Sequence, residues 1–362
     1  MAVTEQQVQD ALKNLIDPNT RKDYVSGKAV RNIKVEGDRV SVDILLGYPA
    51  KSQIEPIKAD VTKALKAIPG VSAVSANVQM KIISHSVQRG VKLVPGIKNI
   101  IAVASGKGGV GKSTTAVNLA LALAAEGASV GVLDADIYGP SQPIMLGIRG
   151  RPESKDGKRI EPMDGHGLQA MSIGFLIDQD TPMVWRGPMV TQALEQLLNE
   201  TNWREIDYLV VDLPPGTGDI QLTLAQRVPV TGAVIVTTPQ DIALIDARKG
   251  LKMFEKVGIP ILGIVENMSL HICSKCGHEE HIFGEGGAEK MGKDYNIDLL
   301  GALPLDIHIR EQADSGRPTV VADPDGRTTQ IYKQIARRVA VKIAERAQDH
   351  SSAFPKIVIQ NT

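Results

Sequence analysis

The chain has 362 residues, and its 41 basic and 41 acidic side chains balance to a formal charge of zero. Its length points to two domains, since single cores stop growing near ~250 residues, and 43% hydrophobic with 23% charged residues describes an ordinary globular protein. Balanced charge and 3% aromatic content argue against bulk capture of nucleic acid or anionic membrane and against base-stacking platforms, and no apolar run is long enough to span a bilayer.

The N-terminal stretch has no basic region followed by an apolar one, so no export signal is expected. Residues 1–88 read as a small α/β unit. A helix pattern through Val8, Leu12, Leu15 and Ile16 stops at Asp17-Pro18. Two short strands follow around the turn Glu36-Gly37-Asp38, the second alternating through Val40, Val42, Ile44 and Leu46. A second amphipathic helix carries Ile54, Ile57, Val61 and Leu65 and ends at Pro69-Gly70. A last strand alternates through Val74, Ala76, Val78, Met80 and Ile82. The unit has no cysteine and no glycine-rich loop, and its chemistry is not legible.

A linker at 89–97 leads into a second domain over 98–362. There, unbroken apolar runs at 100–104, 130–133, 208–211, 233–236, 261–265 and 299–303 alternate with helical stretches. Such runs are the mark of a parallel sheet buried on both faces, and predict an α/β fold of P-loop type flanked by helices. Ligands in such sheets bind outside the carboxyl ends of the strands, where each run stops at a polar or turn-forming residue.

The first run is followed by Gly106-Lys107-Gly108-Gly109-Val110-Gly111-Lys112-Ser113-Thr114, which opens a helix. This satisfies GxxxxGK[ST] in the strand–loop–helix context that confirms it. The glycines let backbone N–H groups turn inward around a phosphate chain, and the helix N-terminus adds positive potential. Lys112 is placed for the β- and γ-phosphates of ATP and Ser113 for Mg²⁺. Lys107 is unusual, because an ordinary P-loop needs no lysine at its second position. The KGGVGKST form resembles the deviant Walker A motif of a dimeric ATPase class that includes Mrp/ApbC, MinD and ParA proteins. That resemblance implies that Lys107 crosses a dimer interface to the partner's nucleotide.

The second run ends in Asp134-Ala135-Asp136, with two carboxylates on one side of an extended segment. Resemblance to the class implies that Asp136 positions the attacking water and Asp134 belongs to the magnesium shell. Asp212 ends the third run in the Walker B arrangement and is expected to hold Mg²⁺. The stretch Leu213-Pro214-Pro215-Gly216-Thr217-Gly218-Asp219 after it suits a loop with two positions. Asn267 follows the fifth run. Related ATPases use an asparagine there to read the adenine edge, where one amide offers a donor and an acceptor together.

The only cysteines are Cys273 and Cys276, which rules out a disulfide scaffold and points to a reducing compartment, with a cytoplasmic location expected. A CxxC pair admits several readings. A thioredoxin-like pair would want a helix directly after the strand. A zinc site within one chain could combine both cysteines with His278 and His281, although these histidines are closer than the usual spacing. A structural disulfide does not suit a reducing compartment. Alternatively, two chains could each give two thiolates to a four-sulfur site for zinc or a [4Fe–4S] cluster.

Taken together, SGKGGVGKST, LDADIYGPS, MVWRGPM, VVDLPPGTGDIQLTLAQ, TTPQDIAL, GIVENMS with its downstream CxxC, and IFGEGGAEK are similar to the Mrp/ApbC family of iron–sulfur carrier ATPases over residues 96–345. Residues 1–88 resemble the iron–sulfur-assembly module fused ahead of bacterial members. The resemblance implies a cytoplasmic homodimer that holds a [4Fe–4S] cluster on Cys273 and Cys276, hydrolyses ATP slowly, and delivers the cluster to apo iron–sulfur proteins, with scaffold proteins as further partners. A MinD/ParA-type organiser is the rival reading. It would end in a membrane-seeking basic helix, whereas the stripe Ile331, Ile335, Val339 and Ile343 is expected to be core. A zinc-stabilised ATPase is the other.

Overall fold

The computed structural model describes residues 3–85, 92–177, 187–273 and 275–351, with only the backbone of residue 219 and of residues 347–351. Helix α1 (Glu5–Lys13) starts at Thr4, whose hydroxyl accepts from the Gln7 N–H while the Gln7 side chain accepts from the Thr4 N–H. This reciprocal cap satisfies two donors that a helix start leaves open. Val8 and Leu12 are buried, but Ile16 lies beyond the helix end and is exposed, so the apolar stripe is one turn shorter than its spacing suggests.

Strands β1 (Val30–Glu36) and β2 (Arg39–Leu46) form a hairpin whose turn passes through Gly37 at φ +66°. Helix α2 (Ile54–Lys66) then crosses over to β3 (Ala73–Met80), which pairs parallel with β2. Val40, Val42, Ile44 and Leu46 all face the core, as strict alternation requires.

The second domain opens with β4 (Ile97–Ala104), α3 (Lys112–Ala125), β5 (Val130–Asp134) and the short α4 (Gln142–Met145). A hairpin, β6 (Met163–Gly165) and β7 (Leu168–Ser172), is followed by α5 (Gly187–Glu200), β8 (Ile206–Asp212) and α6 (Asp219–Arg227). Next come β9 (Gly232–Thr237), α7 (Asp241–Lys256), β10 (Ile261–Ile272) and β11 (Glu279–Glu280). The described chain closes with α8 (Gly287–Tyr295), β12 (Leu299–Leu305), α9 (Ile307–Asp314), α10 (Thr319–Ala322) and α11 (Arg327–Ser351). The sheet runs β11-β10-β9-β4-β8-β5-β7-β6, with β12 also on β10. Among the described strands of this sheet only β6 and β11 are antiparallel to their neighbours. Because β4 sits between β8 and β9 and β5 lies beyond β8, the loops after β4, β5 and β8 leave from adjacent carboxyl ends.

In the second domain two features depart from the sequence reading. The β6–β7 hairpin was not expected, and β10 continues past Val265, so Asn267 lies inside a strand rather than after one. The backbone there is irregular: Met268 has φ +56°, and the register against β12 slips between Glu266 and Leu270.

The two domains are joined by a buried charge cluster. At the end of α3 the fully buried Glu126 carboxylate accepts from the Ser52 hydroxyl and N–H and from Arg337 on α11 at 2.8 Å. Arg337 also donates to Asn19. Residues 86–91, in the expected linker, lie outside the described residues. Ile335, Val339 and Ile343 on α11 are fully buried, as the core reading of that stripe expected. Among the described residues no helix is long and apolar enough to cross a membrane.

Candidate nucleotide site and cysteine turn

The P-loop leaves β4 and enters α3 at Lys112. Gly109 and Gly111 have φ +82° and +80°, a region that side chains with a Cβ rarely adopt. Gly106 is required for a different reason. A Cβ there would lie 2.1 Å from the Asp246 carbonyl carbon, because α7 passes directly beside the loop. The Lys107 side chain is half-exposed and makes no hydrogen bond or ion pair with a described residue.

Lys112 is nine-tenths buried. Its ammonium donates to Asp212 Oδ1 at 2.5 Å and to Ser113 Oγ at 3.2 Å, and lies 3.9 Å from Asp136 Oδ2. One cation is thus shared by the P-loop helix, the end of β8 and the loop after β5. Burial pushes the Asp136 carboxyl up, and Lys112 pulls it back down. Asp134 is fully buried, and burial together with neighbouring Asp212 raises its carboxyl. Its observed partners are the N–H groups of Asp136, Ser141 and Gln142 and the Ser172 hydroxyl. Asp134 therefore organises the loop that carries Asp136.

The loop after β8 is pinned beside the P-loop, since the Gly216 N–H donates to the Ser105 carbonyl. Gly108, Val110 and Thr114 lie in the same loop–helix turn, with the Thr114 hydroxyl 3.9 Å from Met145 Sδ on α4. Asn267 reaches the loop from the other side. Its amide donates to the Val110 carbonyl at 2.9 Å, and a Cβ on Gly111 would collide with it. Lys112, Ser113, Asp134, Asp136, Asp212 and Asn267 all border one loop. The side chain of Asp219 and residues 183–186 of the MVWRGPM stretch lie outside the described residues.

Cys273 directly follows β10, whose last residues pair with β11: His271 opposite Glu280 and Ile272 opposite Glu279. The turn between them is closed by Cys273 N–H to the His278 carbonyl and Gly277 N–H to the Cys273 carbonyl. Gly277 takes φ +71°. Cys273 is half-buried and Cys276 exposed, and N–H groups of Lys275 and Cys276 aimed at Cys273 lower its thiol below the usual range.

The nearby histidines turn elsewhere. His271 Nδ1 faces the Leu305 carbonyl and His281 Nδ1 the Ser269 carbonyl, while His278 lies 3.5 Å from Glu280. Among the described residues no three His, Cys, Asp or Glu side chains converge as a metal site, so the single-chain zinc set is not assembled.

A family model described as NUBPL iron-transfer P-loop NTPase matches residues 96–340, and one described as iron-sulfur cluster assembly protein matches residues 5–78. The chain is 53% identical over 337 residues to the iron-sulfur cluster carrier protein of Escherichia coli, covering 93% of this chain and 91% of that protein. It is 52% identical over 254 residues to the mouse iron-sulfur cluster transfer protein NUBPL, covering 70% and 80%. A nucleotide-binding protein from Archaeoglobus fulgidus, solved with ADP, superposes with TM-score 0.57 at 38% identity, covering 64% of this chain and 90% of that one. The Pyrococcus furiosus cell division ATPase MinD shares the fold, at TM-score 0.51 and 22% identity, covering 67% and 98%.

Proposed function

The chain belongs to the NUBPL iron-transfer P-loop NTPase family, and from that membership we propose that it is an ATP-hydrolysing carrier of [4Fe–4S] clusters, acting as a cytoplasmic homodimer that hands its cargo to apo iron–sulfur proteins. The observation that carries the reading is the cysteine turn. It presents two thiols, one with a lowered pKa, and among the described residues no third ligand gathers beside them. Two thiolates make half of a four-sulfur site, and a second copy supplies the other half.

The residues around the P-loop fit a magnesium nucleotide. Lys112 already donates to both Ser113 and Asp212, and the loop amides are framed by glycines. With nucleotide bound, Mg²⁺ neutralises charge on the phosphates. Lys112 exchanges its contact with Asp212 for the β- and γ-phosphates. Ser113 and Asp212 would hold the metal, and Asp134 would support that shell through the loop it organises. Asp136 orients the attacking water, and Lys107 reaches the nucleotide of the partner. Asn267, already against the loop, meets the adenine edge. Asn267 lies inside β10 and Cys273 directly follows the last residue of that strand, so nucleotide contacts at Asn267 would reach the cysteine turn along one strand.

Anaerobic reconstitution with iron and sulfide tests the cargo. Four irons per dimer with a visible charge-transfer spectrum are expected, and Cys273→Ala or Cys276→Ala should abolish both while leaving nucleotide binding intact. One zinc per monomer, dependent on His278 and His281, would sink the proposal.

A further inference from the structure

Gln142 carries no motif, yet it is 1% exposed and sits at the centre of the nucleotide site. It opens α4, and its backbone N–H donates to Asp134 Oδ2 at 3.0 Å. Its side-chain amide nitrogen donates to Asp212 Oδ2 at 2.9 Å and to the Ser113 carbonyl at 3.2 Å. Both amide protons are thus spent on the two residues assigned to the metal. The orientation of the amide follows from those partners, because a flipped group would set its oxygen against two acceptors. Its carbonyl oxygen is buried and has no hydrogen-bond partner among the described residues. A buried acceptor left without a donor is destabilising, and a donor arriving with the ligand removes that cost.

We infer that Gln142 is a positioning residue for the metal. Its nitrogen fixes the Asp212 carboxylate while its orphaned oxygen accepts a hydrogen bond from a water in the Mg²⁺ shell. Mg²⁺ retains several waters in P-loop sites, and these waters are strong donors. The geometry around Asp212 agrees: Gln142 holds Oδ2, and Lys112 holds Oδ1. When Lys112 turns to phosphate, Oδ1 is freed toward the metal while the carboxylate plane stays held by Gln142. The same amide ties α4 to α3 and β8, so the loop after β5 is drawn onto the metal when the site fills.

This inference rests on the reading of the site as a magnesium-nucleotide site, and the test separates the two. Binding of a fluorescent ADP analogue by the full chain is measured across a Mg²⁺ titration, alongside thermal unfolding without nucleotide. Gln142→Met keeps length and volume but loses the polar atoms. It should raise the Mg²⁺ midpoint about tenfold, the worth of one hydrogen bond, with affinity in EDTA within about twofold of the parent. Gln142→Glu keeps an acceptor and loses the donor to Asp212. Its Mg²⁺ midpoint should stay at or below the parent's, while its nucleotide-free unfolding temperature drops. Equal Mg²⁺ midpoints for the parent and Gln142→Met, with only stability changed, would overturn the inference and leave the nucleotide reading standing. A parent whose nucleotide binding ignores Mg²⁺ would overturn both.

Discussion

Lys112 carries two burdens in one ammonium, and they can be separated by measurement. In the nucleotide-free chain it is the counter-ion of Asp212, which has no solvent exposure at all. Removing one partner of a buried pair typically costs about 3–5 kcal/mol, because the other charge stays behind uncompensated. Lys112→Ala should therefore lose nucleotide binding and also unfold at markedly lower denaturant, whereas Lys112→Ala with Asp212→Asn should recover much of the stability and none of the binding. Chemical denaturation beside fluorescent-nucleotide titration checks both arms. A Lys112→Ala chain as stable as the parent would mean the pair with Asp212 contributes nothing. Asp136→Ala should behave oppositely, with binding retained and turnover lost, since Asp136 is 3.9 Å from Lys112 and is the more exposed carboxylate of the three.

At the scale of elements, the junction between the domains makes two testable demands. Glu126 closes the P-loop helix α3 at its C-terminal end, where a carboxylate opposes the helix dipole and needs its partners. Arg337→Ala leaves it with Ser52 alone. The expected cost is again about 3–5 kcal/mol, and unfolding of the small domain should separate from that of the ATPase domain. A change below about 0.5 kcal/mol in denaturant melts would place the junction's strength elsewhere. The second demand concerns His85, whose Nδ1 lies 2.7 Å from Asn99 Oδ1 while its Nε2 is buried without a partner among the described residues. Asn99 donates its amide to the Ile83 and Asp207 carbonyls, so its oxygen accepts and His85 carries its proton on Nδ1. Burial lowers the imidazole pKa below its usual 6.5. The stability contributed by neutral His85 is then fully present above pH 6.5 and is lost as pH falls through the lower folded value. The unfolding temperature of the parent should drop between pH 7 and 5 more steeply than that of His85→Gln, and parallel profiles would remove His85 from the account. Much of this architecture is legible in the sequence where a strand lies in the middle of the sheet: β4, β8 and β9 are unbroken apolar runs because helices cover both their faces. The edge hairpin and the far end of β10 are not legible. The β6–β7 hairpin is three and five residues long and turns on His166 and Gly167 at positive φ, so neither strand shows a period. Strand β10 hides its length behind Glu266, Asn267 and Ser269, which read as a turn. Each is satisfied by a tertiary partner, the Ala288 N–H, the Val110 carbonyl and the Leu303 carbonyl, that no local pattern reveals. Gln142 was illegible for the same reason, whereas Lys112 and the three aspartates were readable because strand ends deliver them.

For the whole molecule, the unresolved economy of the site is Lys107, a lysine on a phosphate loop with no partner among the described residues of its own chain. Lys112 already supplies the cation that faces the β/γ-phosphates from within, so a second lysine in the same loop adds little unless it serves a nucleotide opposite. The surface around it suits a facing copy: Ile144 on α4 and Ile242 and Ile245 on α7 are exposed apolar side chains on the two helices that border the P-loop. A two-fold arrangement across this face would be isologous, so each nucleotide would meet its own Asp136 and the partner's lysine. Two crippled chains then make an asymmetric test. A Lys107→Ala homodimer lacks the trans lysine at both sites, and an Asp136→Ala homodimer lacks the water-orienting carboxylate at both. In a mixed dimer, the site on the Lys107→Ala chain keeps its own Asp136 and receives Lys107 from the other chain, while the second site lacks both. With statistical mixing, half of the dimers carry one intact site of two, so roughly a quarter of the parental ATPase rate should return from two inactive preparations. If Lys107 served its own chain, the Lys107→Ala chain would stay inactive beside any partner, and mass-verified heterodimers with no regained turnover would place that lysine in cis.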